Sequence, residues 1–258
     1  MKAKKSYGQH FLTNESFAER IAEGFALPHE RVLEVGPGKG MLTKYLLKKD
    51  WILKMVEADH DMVGYLQKFY PQIGNAIIEG DFLKVNLEQI FEGQAFGLIG
   101  NFPYNISSQI VFKMVASRQL VAEMVGMFQK EMADRIIARP GNKDYGVISV
   151  LTQAFYEGNL LFRVSKGNFN PPPKVESAVI RLQRKAKLQL DCDENLFRQV
   201  VKTTFGQRRK MLRNTLKPFI SDDSLLEDAF FQKRPEQLSV DDFIALTQKI
   251  ERINTNKG

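Results

Sequence analysis

Cysteine is nearly missing from this chain: among 258 residues there is one, Cys192. A single thiol forms no internal disulfide, so the fold rests on burial alone and nothing asks for an oxidising compartment. Histidine is almost as scarce. His10, His29 and His60 are scattered, which argues against a zinc site, and no metal is expected. No apolar run approaches the roughly 20 residues needed to span a bilayer. The opening Met1-Lys2-Ala3-Lys4-Lys5 is basic but leads into Tyr7-Gly8-Gln9-His10 with no apolar core, so no signal peptide is expected and the default location is the cytoplasm. Acidic residues are absent from Gln199 to Lys217.

What the chain does have is a core and a sign. It is 43% hydrophobic with a net charge of +7, which fits a globular protein with an anionic partner, nucleic acid before a membrane surface. Apolar runs alternate with helical periodicity. Arg31–Val35, Ile52–Val56, Ala76–Ile78, Phe96–Gly100 and Val121–Phe128 read as strands, and stripes such as Phe17, Ile21 and Phe25 or Met62, Leu66 and Phe69 read as helices between them. Leu27-Pro28 is expected to end the first of these helices. This spacing predicts an α/β fold with a parallel sheet covered on both faces. Beyond Gly146, the stretches 149–155, 160–164 and 178–182 read as further strands, some of them antiparallel. A charged linker, Arg184-Lys185-Ala186-Lys187, precedes a helical tail. The expected domains are 1–185 and a small all-α domain over 186–258.

Ligands in open α/β sheets sit beyond the carboxyl ends of the strands, and three strand ends here carry unusual residues. The first ends in Gly36-Pro37-Gly38-Lys39-Gly40. Glycines there let the backbone turn tightly and approach a ligand. The third glycine of a dinucleotide fingerprint is replaced by Met41, and the Ser or Thr of a P-loop by Gly40, so the loop favours a nucleoside without a pyrophosphate. Glu57, about twenty residues on, is placed to accept hydrogen bonds from ribose hydroxyls; its bland alternative is a solvated strand-end charge. Asp81, after the third strand, either accepts from an adenine amino group or makes a turn. Together they describe a pocket for an adenosine without phosphates, and S-adenosylmethionine meets that description. The fourth strand ends in Asn101-Phe102-Pro103-Tyr104: an amide able to pair with a base edge, a rigid proline and a stacking face.

In these segments the sequence closely resembles the ribosomal RNA adenine dimethyltransferases. The resemblance runs over nearly the whole chain, through Gly8-Gln9-His10-Phe11-Leu12, Glu34–Gly40, Asn101–Ser107, Phe169-Asn170-Pro171-Pro172-Pro173-Lys174-Val175-Glu176-Ser177 and Phe205-Gly206-Gln207-Arg208-Arg209-Lys210. It implies a Rossmann-like class I methyltransferase sheet with a small C-terminal all-α domain, and S-adenosylmethionine as cofactor. It places His10 and Leu12 at the border of the cofactor, Gly36 and Gly38 in its loop, Glu57 on the ribose, Asp81 on the adenine and Asn101 against both cofactor and target base. Catalysis falls to Asn101, Phe102, Pro103 and Tyr104, with Phe169 closing over the base. His10 stands where the family usually has Asn, and Phe102 where relatives often have Leu or Ile. The implied activity is dimethylation of two adjacent adenines in the 3′-terminal hairpin loop of small-subunit RNA, by a monomer working on an immature 30S particle, with a checkpoint role in assembly as an addition.

In the tail, Lys202, Arg209, Arg213 and Lys217 recur at helical multiples and predict one basic face, with Gly206 as a break between helices. Charge runs are ordinarily solvated faces. The match over Gln207–Lys210 turns this one toward RNA phosphates, with Arg208, Arg209 and Lys210 as the contacts. Two other readings stay open: a large-subunit RNA methyltransferase conferring antibiotic resistance, and an assembly or transcription factor that keeps the fold without catalysis.

Overall fold

The computed structural model describes residues 10–220 and 222–255; Gly8 and Gln9 of the first matching segment lie outside them. The strands are β1 (Phe11–Leu12), β2 (Arg31–Val35), β3 (Ile52–Glu57), β4 (Ile77–Glu79), β5 (Phe96–Asn101), β6 (Val121–Gln129), β7 (Tyr156–Val164), β8 (Phe169–Asn170) and β9 (Ser177–Arg184). The helices are α1 (Glu15–Ala22), α2 (Thr43–Leu46), α3 (His60–Phe69), α4 (Leu87–Ile90), α5 (Ser107–Ala116), α6 (Lys130–Ile136), α7 (Val147–Gln153), α8 (Glu194–Gly206), α9 (Leu212–Thr215) and α10 (Val240–Thr255).

Seven strands form one sheet in the order β4-β3-β2-β5-β6-β9-β7. The pairs among β4, β3, β2, β5 and β6 are parallel, and β9 joins β6 antiparallel. The central strands are apolar on both faces because helices cover both: every residue of β5 before Asn101 is buried, and four of the five in β2. Helix starts are set by local chemistry. The Asn14 side chain accepts from the Ser16 and Phe17 amides ahead of α1, and Asp59 accepts from Asp61 ahead of α3. α1 stops at Ala22, ahead of Leu27-Pro28. There Gly24 turns so close to β6 that a Cβ on it would lie 2.7 Å from Val125.

A second, two-stranded antiparallel pair joins β1 to β8, with Phe11 opposite Asn170 and Leu12 opposite Phe169. Thr13 N–H extends it to the Asn168 carbonyl at 2.8 Å. This short pair carries His10 to the carboxyl ends of the parallel strands.

The chain forms two compact units. The first takes the described residues up to Ala133 and Glu157–Arg184; the second takes Asp134–Tyr156 and the described residues from Lys185 on. A single cut after residue 185 therefore leaves out an excursion. The stretch 149–155, expected as a strand, is helix in α7 up to Gln153 and a turn at 154–155. Ser149 Oγ accepts the Gly146 N–H at 3.0 Å and starts the helix, and 149–152 are all buried. α7 packs on α8. Tyr145, fully buried, lies 6.0 Å ring to ring from Phe205, which in turn neighbours Phe243 of α10. That aromatic series ties the excursion to the C-terminal helices.

Candidate active site

In the first unit, the carboxyl ends of β2, β3 and β5 and the loop after β4 surround a cavity of about 700 Å³, within the range of small-molecule sites. β1 and Asn170, at the end of β8, add to its wall. Gly36, Gly38, Glu57, Asp81, Asn101, Phe102, Pro103, Tyr104, His10 and Leu12 all line it, so the structure brings these ten expected residues to one place.

The glycine loop is left-handed at Gly36, Gly38 and Gly40, with φ of +69°, +57° and +77°. Any side chain would be strained there. A Cβ on Gly38 would also meet the Phe11 ring at 3.0 Å, and one on Gly40 the Tyr70 ring at 2.6 Å. The Gly38 N–H donates to Glu57 Oε2 at 2.9 Å, and the Asp59 N–H donates to Oε1 at 2.9 Å. Glu57 is only 6% exposed. Burial raises its pKa, opposed by these amides. Each oxygen still has a lone pair for a hydroxyl donor. Asp81 makes the turn that is one of its two readings: Oδ1 accepts the Leu83 N–H at 2.9 Å, and the residue also forms part of the cavity wall.

A third carboxylate, Glu34, lies in the same wall and is not singled out by sequence reasoning. It is 1% exposed, and the Thr43 hydroxyl donates to it at 2.7 Å. Burial pushes its pKa up to about 8, and the charge of Glu57 adds to the shift. Its sequence signal is an acid inside the apolar run Val32-Leu33-Glu34-Val35, directly before the glycine loop.

Asn101 closes β5, and its Nδ2 donates to the His10 carbonyl at 3.0 Å. Among the described residues nothing donates to its Oδ1, which leaves an acceptor at the wall. Phe102 supplies backbone to the cavity while its ring is core: it is 1% exposed, 5.1 Å from the Phe128 ring, and fills the space above Gly126, where a Cβ would lie 2.3 Å from it. The Tyr104 hydroxyl shares a 2.6 Å hydrogen bond with the Ser177 hydroxyl, and burial raises its pKa. The His10 ring stacks on Tyr104 with centroids 5.2 Å apart and 26° between planes. His10 Nδ1 donates to the Pro171 carbonyl at 2.9 Å.

Phe169 is placed elsewhere than expected. The β1–β8 register sets it opposite Leu12, and its ring joins the core with Ile21, Ile99 and Met127, 4% exposed and away from the cavity lining. The break expected at Gly206 is present and divides the basic residues among separate elements. α8 ends at Gly206, so Arg208, Arg209 and Lys210 lie in a turn of the second unit, off the helix that carries Lys202.

A parallel sheet with a glycine loop after one strand, an acid after the next and a nucleoside-sized cavity across them is the architecture of the class I S-adenosylmethionine-dependent methyltransferases. Comparison with known proteins carries this further. The model of the family described as ribosomal RNA adenine dimethylase matches residues 1–248. The chain belongs to that family and is an S-adenosylmethionine-dependent rRNA adenine dimethyltransferase. Among curated relatives, a protein of Bacteroides thetaiotaomicron named ribosomal RNA small subunit methyltransferase A is 55% identical, over 97% of this chain and 95% of its own. The protein of the same name from Flavobacterium johnsoniae is 54% identical, over 97% of each chain. Among solved structures, a dimethyladenosine transferase from Plasmodium falciparum superposes with a TM-score of 0.80 at 26% identity, covering 95% of this chain and 98% of that one. The 23S rRNA methyltransferase ErmE gives a TM-score of 0.69 at 25% identity, covering 92% and 99%.

Proposed function

We propose that this chain dimethylates the exocyclic amino groups of two adjacent adenines in the 3′-terminal hairpin loop of small-subunit rRNA, as a cytoplasmic monomer acting on an immature 30S particle. The observation that carries the reading is Asn101: its amide is pinned by the His10 carbonyl so that Oδ1 remains an acceptor at the cavity wall. The choice of subunit follows the relatives, since the proteins named for the small subunit are up to 55% identical and the 23S rRNA enzyme 25%.

The residues fit the cofactor. The cradle at Gly38 has no room for a Cβ, Glu57 offers acceptors to two ribose hydroxyls, and Asp81 offers one to the adenine amino group. His10 and Leu12 border it. When bound, S-adenosylmethionine supplies a methyl group already activated by the sulfonium charge. The task left to the protein is to align the acceptor nitrogen and free its lone pair from the ring. Asn101 Oδ1 and the Phe102 carbonyl accept the two amino hydrogens, which favours a tetrahedral nitrogen over a planar one. No base is needed before attack, because nitrogen that has gained a methyl group becomes acidic and loses its proton to water. Pro103 fixes the backbone between these acceptors and Tyr104. Tyr104 stacks the target base; its ring is flat against the His10 imidazole, which supports a stacking role for it. The second unit supplies the grip on RNA through the turn with Arg208, Arg209 and Lys210.

The test is methyl transfer from labelled S-adenosylmethionine to unmethylated small subunits, followed by nucleoside analysis of the RNA. Dimethyladenosine at adjacent positions near the 3′ end is the expected product. Transfer to large-subunit RNA alone would move the chain to the resistance enzymes. For the assembly checkpoint, a catalytically inert variant is expected to bind immature subunits and delay their maturation.

A further inference from the structure

Residues 134–156 belong to the second unit. They contain the turn-rich loop 139–145, which two hydrogen bonds fasten within the unit, with an ion pair between their partners Arg208 and Glu236. The Arg208 guanidinium donates from Nη2 to the Asn142 carbonyl at 3.0 Å. Its Nε lies 3.6 Å from the Glu236 carboxylate. The Gly141 N–H donates to the Glu236 backbone carbonyl at 2.7 Å. Behind the loop, Tyr145 is buried against Phe205.

These bonds change the meaning of the basic turn. Arg208 is half-buried and spends its guanidinium on a carbonyl and a carboxylate, so it holds the loop to the turn. The residues beside the bonded pair are the free ones. Arg209 and Lys210 follow Arg208; Arg139 and Lys143 flank Asn142 closely. All four are exposed, and among the described residues none of the four is in an ion pair. Asp144, the one acid of the loop, is only half-exposed. Two segments about 65 residues apart in sequence thus put four uncompensated cations on one stretch of surface.

We infer that the loop carrying Arg139 and Lys143 is the second half of an RNA-binding surface whose first half is Arg209 and Lys210, and that Arg208 is a positioning residue joining the halves. The partner is the sugar–phosphate backbone of structured rRNA. Cations on two rigidly joined segments match phosphates by shape and charge and read no base. The inference rests on the reading that the second unit grips rRNA.

The experiment measures the Kd of the full chain for unmethylated small subunits over a range of salt. Each lost phosphate contact lowers the slope of log Kd against log salt by about one. The double variant Arg139→Gln/Lys143→Gln is expected to weaken binding about tenfold at low salt and to lower the slope by one to two, as is Arg209→Gln/Lys210→Gln. Binding of S-adenosylhomocysteine reports that both variants are folded. Arg208→Gln is expected to weaken binding by itself but to add little in the Arg139→Gln/Lys143→Gln background, because it acts through that loop. An unchanged slope for the loop pair, with the turn pair weakened, overturns the inference and spares the parent reading. No effect from either pair overturns the parent reading. Additivity of Arg208→Gln with the loop pair overturns the positioning role and makes Arg208 a contact in its own right.

Discussion

The two ends of the parallel sheet bury acids in opposite ways. At the amino ends, Glu123 of β6 is fully buried and saturated. It accepts from the Ala26 and Leu27 amides at 2.8 and 3.1 Å and from His29 Nε2 at 2.9 Å, with Arg181 Nε at 3.7 Å. Burial pulls its pKa up, but His29 and the two amides outweigh it, and the net shift is downward. At the carboxyl ends, Glu57 has two amide donors and Glu34 one hydroxyl, and both are shifted upward. The saturated acid has no capacity left for a ligand and serves to lock the segment after α1 to the sheet. The under-satisfied pair faces the cavity. A buried carboxylate short of donors is what a site for hydroxyl-bearing ligands needs, and it costs the empty fold stability.

The largest effect that would break this contrast comes from Glu123→Ala. It strands His29 and two amides and is expected to cost about 3–5 kcal/mol, seen as a fall in Tm of about 10 °C. The Kd for S-adenosylhomocysteine of the folded protein should stay within a factor of two or three. A variant that kept its Tm but lost the ligand would reverse the assignment of the two ends.

Glu57→Gln should do the opposite. Losing charge-assisted bonds to two hydroxyls lowers S-adenosylhomocysteine affinity by roughly 10- to 100-fold, measured by calorimetry, while the Tm of the ligand-free protein moves by no more than about 2 °C. Unchanged affinity would remove the ribose role.

The smallest effect is a pH trend, and it sharpens the comparison because the signs differ. Glu34 has a raised pKa, so its contribution to stability is fully present below the ordinary carboxyl value and is lost as the pH rises toward about 8. Glu123 has a lowered pKa, so its contribution is present above the ordinary value and is lost as the pH falls through its folded value. Between pH 5 and pH 8.5, thermal melts should show the wild type losing a few degrees relative to Glu34→Gln. Below about pH 4 the wild type should lose its advantage over Glu123→Gln. A flat difference between wild type and Glu34→Gln would show that Glu34 is not held as the neutral acid.

The site was more legible in the sequence than the helical unit, for a physical reason. A ligand at strand ends imposes residue types that have few other uses together: three glycines at positive φ, an acid after the next strand, an amide and a tyrosine after a wholly buried one. What failed was whatever depended on which way a short element faces. Phe169 beside its prolines looks like a lid, yet a two-residue register turns its ring into the core. The apolar stretch 149–155 reads as strand until the Ser149 hydroxyl accepts the Gly146 N–H and starts a helix. The break at Gly206 was legible, but not that Arg209 would fall in the turn after it, off both helices. Glu34 passes as an ordinary residue of an apolar strand because sequence alone does not count its donors.

Asn101 at the cavity wall is proposed to serve the target amino group more than the cofactor. Paired measurements on Asn101→Ala test it most directly: the Kd for S-adenosylmethionine by calorimetry, and methyl transfer to unmethylated small subunits under saturating cofactor. Abolished transfer with a Kd within about tenfold of wild type is the predicted result, tenfold being about 1.4 kcal/mol. Retained methylation would contradict the account.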